Sequence, residues 1–173
     1  MKRATEEEVM KVVLVRHGEA EVSSESGKDI DRSLTDYGKN DIHRLGMFMN
    51  RLFLKYNFIF HSPYLRTEQT AQILFEDLQK KQPMEIFPAD ELAPDNDYER
   101  IYPKLKNFTN SDSVIIVGHN PNICYLGSRL ISGNDVLAPN LNFLPGTALA
   151  LNVSKEYLTS AQILWMVSSK ELL

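Results

Sequence analysis

The segment VVLVRHGEA, residues 12–20, opens with four apolar residues, three of them β-branched, and runs directly into Arg16 and His17. A short unbroken apolar run of this kind fits a strand buried on both faces, as found in parallel sheets covered by helices. A second segment, VIIVGHNP at residues 114–121, repeats the design and delivers His119 at the end of its own apolar run. If the two strands are neighbours, both imidazoles lie at the same carboxyl edge of one sheet.

The rest of the chain supports such a sheet. Val9–Val15 reads as a buried strand, and Leu34–Lys55 as a helix with Ile42, Leu45, Met49 and Leu52 on one face. Phe58–Phe60 reads as a short strand. Ser62-Pro63 then supplies an N-cap and a first-turn proline for a helix running to about Lys81. Glu85–Phe87 is a weak strand, and Tyr98–Phe108 a helix that Pro103 kinks or starts. Val114–Val117 is the second buried strand. Asn120-Pro121 opens a helix carrying Ile123, Leu126 and Leu130, and Thr147–Val153 and Gln162–Val167 complete the sheet. Strands alternating with helices predict a three-layer α/β/α sandwich around a mostly parallel sheet. Ligands bind such folds outside the carboxyl ends of the strands. The long polar connections Glu19–Ser33 and Ser132–Gly146 are expected to form the rim of that site.

Composition narrows the classes. The 173 residues suit one domain, expected over residues 9–173 after a flexible tail at residues 1–8. A net charge of −4 gives no electrostatic footprint for nucleic acid or an anionic membrane. One cysteine, Cys124, permits no internal disulfide, and the N-terminus has neither a signal-peptide pattern nor a span-length apolar run. A cytoplasmic location is the resulting expectation.

A third segment joins the two histidines. In SPYLRTEQT, residues 62–70, Arg66 falls in the first turn of a helix that begins at a strand end. Helix N-termini favour anions, and a guanidinium fork matches phosphate oxygens. Arg16, His17, Arg66 and His119 would together surround a tetrahedral dianion. Neutral imidazole is also a competent nucleophile near neutral pH, and adjacent guanidinium charge keeps it unprotonated. The same arginines would stabilise charge on a phosphoryl group in flight.

VRHGEA, LTDYG, SPYLRTEQTA and VGHNP, in that order, resemble the motifs of the histidine phosphatase superfamily, whose fold is phosphoglycerate mutase-like. Within it, RHGEA, LRTEQT, ELAP and ILWMV are most similar to the small SixA-type phosphohistidine phosphatases. The resemblance implies that His17 is the nucleophile that becomes phosphohistidine. It implies that Arg16, Arg66 and His119 bind the phosphoryl oxygens, and that neither metal nor cofactor is needed. Glu91 in ADELAP matches the position where many relatives carry a proton-donating acid, although acidic loops are commonly only solvated.

About 50 residues separate Arg66 from His119, which leaves little chain for a large helical cap. An open site suits a phosphorylated protein, such as a histidine phosphotransfer domain, better than a small phosphate ester. The expected activity is therefore metal-independent hydrolysis of protein phosphohistidine, with a small-molecule phosphomonoesterase as the alternative. A metal hydrolase using His17, His119, Glu19 or Glu91 fits poorly, because Arg16 and Arg66 would repel a divalent cation.

Overall fold

The computed structural model describes residues 9–52, 55–79, 83–109, 112–154 and 156–172. The expected tail at residues 1–8 lies outside that range. Ten regular elements follow in order: β1 (Val9–Arg16), α1 (Asp36–Arg51), β2 (Phe58–His61), α2 (Leu65–Leu78), β3 (Glu85–Pro88), α3 (Tyr102–Lys106), β4 (Ser113–Gly118), α4 (Asn122–Ser132), β5 (Thr147–Ser154) and β6 (Gln162–Ser168).

The six strands form one sheet in the order β3-β2-β4-β1-β5-β6. The pairs β2–β3, β2–β4 and β1–β4 are parallel, whereas β5 runs antiparallel to both β1 and β6. Side-chain alternation along β1 divides the core. Val12 and Leu14 pack with Leu126, Leu130 and Leu105 on one face. Val13 and Val15 pack with Ile42, Leu45, Met49 and Leu74 on the other. Helices α1 and α2 therefore cover one face and α3 and α4 the opposite one, which gives three layers.

This topology creates the site. From β1 the chain crosses one face through α1 to reach β2. From β4 it crosses the other face through α4 to reach β5. The chain paths diverge between β1 and β4, which makes their carboxyl ends a switch point where a crevice opens. The register pairs Arg16 with Gly118, so His17 and His119 leave adjacent strands at the same level.

Several boundaries differ from the sequence reading for identifiable reasons. Helix α1 starts at Asp36 because Thr35 caps it, accepting from the Gly38 N–H at 2.9 Å. Helix α2 starts at Leu65 rather than beside Ser62-Pro63, with Tyr64 at its N-cap position and no side-chain cap. Tyr98–Phe108 divides into a 3-10 turn over Tyr98–Ile101 and the short α3, with Pro103 in its first turn. The expected helix ends near Lys55 and Lys81 adjoin residues 53–54 and 80–82, which lie outside the described residues. Among the described residues, no helix is long and apolar enough to cross a membrane.

Candidate active site

Four of the five residues singled out by sequence meet in one cleft. Its volume is about 510 Å³, and Arg16, His17, Arg66 and His119 all line it. The His17 and His119 rings lie edge to face with centroids 5.2 Å apart.

The peptide around His17 is fastened from three directions. Its N–H donates to the Gly118 carbonyl, and the Gly146 N–H donates back to the carbonyls of Arg16 and His17 at 3.2 and 3.0 Å. The Gly18 N–H donates to Thr70 Oγ1, whose own hydroxyl donates to the Arg66 carbonyl. Gly146 holds its position with φ +75°, a conformation glycine adopts freely.

The hydrogen bonds also select a tautomer. His17 Nδ1 lies 2.7 Å from the Gly18 carbonyl, which can only accept, so Nδ1 carries the proton. Nε2 then presents its lone pair, and Arg66 Nε–H reaches toward it at 3.3 Å. Burial is the main reason that the His17 pKa is lowered to about 4. The Gly18 contact opposes that shift, while the charges of Arg66, Arg16 and Arg32 add to it. Burial likewise lowers the His119 pKa to about 3, with help from His17 and Arg66. Both imidazoles are neutral at pH 7.

His119 Nε2 sits 2.9 Å from Ser62 Oγ, which also accepts from the Tyr64 N–H. A serine hydroxyl that donates to Nε2 leaves the His119 proton on Nδ1. That Nδ1 is buried without a partner, as is Arg16 Nε. Arg16 is meanwhile held by Nη1, which donates to the Phe143 carbonyl at 2.7 Å.

The structure does not bring Glu91 into this group. Its carboxylate pairs with Lys104 Nζ at 3.2 Å, and the residue lines a small neighbouring pocket with Leu92, Tyr98 and Ile123 that His119 also borders. The carboxylates that border the cleft are Asp29 and Asp95, joined by Arg32, Tyr64 and Asn120. The sequence reading assigned none of these five to the site. The spacing of Asp29 and Arg32 in the first long loop was the available signal. Tyr64 forms a wall, with the Arg66 guanidinium 4.8 Å from its ring centroid and the His119 ring 5.1 Å away.

The other histidines have structural partners. His43 is half exposed and pairs with Asp77, and buried His61 is held by the Ser62 carbonyl. Among the described residues, no group of three or more His, Cys, Asp or Glu is arranged to hold a metal ion.

The chain is similar to known proteins in sequence and in fold. Residues 12–92 match the sequence profile of the histidine phosphatase superfamily (branch 1). The chain is 29% identical over 126 residues to the phosphohistidine phosphatase SixA of Escherichia coli K12, covering 72% of this chain and 76% of that one. The protein histidine phosphatase SixA in complex with tungstate superposes with a TM-score of 0.82 at 23% identity, covering 95% of this chain and 100% of that one. Plasmodium falciparum phosphoglycerate mutase gives a TM-score of 0.66 at 16% identity, with 90% and 88% covered.

Proposed function

We infer that the chain belongs to the histidine phosphatase superfamily and hydrolyses protein phosphohistidine through a phosphoryl group carried transiently on His17. The observation that carries this reading is the protonation pattern of His17. Its Nδ1 is committed to the Gly18 carbonyl, and Nε2, bare of a proton, accepts from Arg66 Nε–H at 3.3 Å in a cleft with three arginines.

In the proposed first step, the Nε2 lone pair attacks phosphorus, and the bond from phosphorus to the substrate imidazole breaks in line. The arginines and His119 hold the three equatorial oxygens, where positioning and charge stabilisation supply most of the rate in phosphoryl transfer. The departing imidazole takes a proton and leaves neutral. In the second step water attacks the phosphoryl group on His17, which releases phosphate and restores the lone pair. A phosphoramidate makes modest demands on an acid, because imidazole is readily protonated near neutral pH. Of the nearby carboxylates, Asp95 borders the cleft while Glu91 is engaged by Lys104, which favours Asp95 over Glu91 as any proton carrier.

The substrate assignment rests on likeness to SixA and on the absence of a roof. The described chain between Arg66 and His119 is spent on α2, β3, 3-10 turns, α3 and β4, none of which forms a large helical cap. A phosphorylated side chain on a protein surface can enter such a cleft.

Incubation with a histidine-phosphorylated peptide, an alkaline quench and intact-mass analysis test the reading. A transient phosphoryl adduct is expected on the native protein and not on His17→Ala. Turnover without an adduct, or an adduct that survives His17→Ala, would refute it. Faster turnover of small phosphate esters than of the peptide would replace the protein substrate with the alternative class.

A further inference from the structure

The loop between β1 and α1 is exposed and polar, yet its turn at residues 24–32 is closely stitched. Ser24 Oγ donates to the Lys28 carbonyl and Ser26 Oγ to Asp31, while Gly27 takes φ +74°. The base of the loop is closed by the Ala20–Leu34 bridge, and the Leu34 N–H donates to Gln69 of α2 at 2.7 Å. These bonds hold a 3-10 turn over Asp29–Asp31 against the first turns of α2.

The turn presents Asp29 to Arg66. Arg66 Nη1 donates to the Asp29 carbonyl at 2.8 Å, and Nη2 donates to Asp29 Oδ2 at 2.9 Å. Both contacts fall on the end-on edge of the guanidinium. The opposite, side-on edge keeps its Nε–H directed at His17 Nε2 and one further Nη2 proton. A guanidinium has five N–H groups in a rigid plane, so fixing one edge aims the other. The second carboxylate oxygen of Asp29 accepts from Arg32 Nη1 at 2.7 Å, and Arg32 Nε donates to the Glu21 carbonyl at 2.5 Å. Hydrogen bonds from Arg32 and Arg66 hold the Asp29 carboxyl below the usual carboxylate range. The Asp29 side chain is itself 54% exposed, so it contributes little to the core.

Resting on the phosphatase reading above, we propose that Asp29 is a positioning residue that aims the side-on edge of Arg66 at the phosphoryl group on His17, and that Arg32 anchors Asp29 while adding a third guanidinium to the substrate cleft. The Asp29 pairing uses Nη1 and Nη2 and leaves the Nε–H at His17 Nε2, so Asp29 supports anion binding despite its charge. A misaimed guanidinium loses its contact with the equatorial oxygens, where small displacements cost large factors in rate.

The experiment compares the native protein with Asp29→Ala, Asp29→Asn and Arg32→Ala. It measures the adduct-formation rate at saturating histidine-phosphorylated peptide, inhibition by orthovanadate, and Tm. For Asp29→Ala the rate is expected to fall about tenfold or more, with vanadate affinity falling in parallel and Tm nearly unchanged. Asp29→Asn keeps an acceptor oxygen for Arg66 and should recover part of that loss. Arg32→Ala should weaken vanadate and raise the peptide KM. An unchanged or faster Asp29→Ala protein would overturn the proposal, and a faster one would make Asp29 a competitor of phosphate. A fall in Tm with an unchanged rate would assign Asp29 a purely structural role and overturn it too. Failure of the native protein to form any adduct would instead remove the phosphatase reading beneath it.

Discussion

Acidification is the sharpest perturbation of this site, because the structure commits His17 to being neutral. Three influences act on its ring. Burial removes the water that would solvate an imidazolium, and the charges of Arg66, Arg16 and Arg32 oppose another positive charge, while the Gly18 carbonyl opposes both effects. The net result is a pKa lowered from 6.5 to about 4. At pH ~5.5 an unshifted imidazole is only about one-tenth neutral, whereas one with a pKa near 4 is almost entirely so. The two cases therefore differ roughly tenfold in nucleophile at a pH where the fold is under little acid stress. Side-chain ¹⁵N spectra recorded through a pH titration follow protonation and tautomer of each histidine directly. Rapid-quench adduct formation at pH ~5.5 and ~7.5 then reads the nucleophile itself. The expected spectrum has Nδ1 of His17 protonated, Nε2 bare, no midpoint above pH ~5, and an adduct rate at pH ~5.5 within about twofold of that at pH ~7.5. A His17 midpoint near 6.5 would refute the argument, as would a tenfold loss of rate assigned to the enzyme rather than to substrate ionisation. The sign for stability follows from the same shift. From pH ~6.5 down to about 4 for His17 and about 3 for His119 the unfolded chain binds protons that the fold does not, so stability is full above that window and declines on acidification through it.

Arg66→Ala removes the proposed donor to the phosphoryl oxygens and should lower kcat/KM by about 10²–10³, with a comparable loss of vanadate affinity, measured by steady-state kinetics. Glu91→Gln should leave adduct formation close to the native rate, since its carboxylate is taken up by Lys104, whereas Asp95→Asn should slow turnover of substrates with poorer leaving groups than imidazole. Gly146→Ala places a Cβ against Ser169 at φ +75° and disturbs the N–H that holds the Arg16 and His17 carbonyls. Denaturant unfolding should show a loss of at least about 1–2 kcal/mol, accompanied by reduced activity.

What could be read from the sequence depended on whether the interaction was local. VVLVRHG and VIIVGHNP are apolar runs with their chemistry attached at the end, so a parallel pairing of the two strands is enough to bring His17 and His119 together, and the observed register does so. Arg66 was equally legible, because the helix beginning just beyond a strand end carries it to the same edge. Glu91 was a different kind of inference. It came from position within a motif, and its partner Lys104 lies on a helix whose packing no periodicity revealed. Asp29 and Arg32 were harder still. They lie in a segment without hydrophobic period, and their value comes from a turn held by Ser24, Ser26 and Gln69, contacts visible only after folding. The same contrast explains the misplaced start of α2. Serine before proline is a sound capping signal, but capping competes with any other use of the hydroxyl. Here Ser62 Oγ lies 2.9 Å from His119 Nε2 and accepts from the Tyr64 N–H, while the helix itself begins three residues further on.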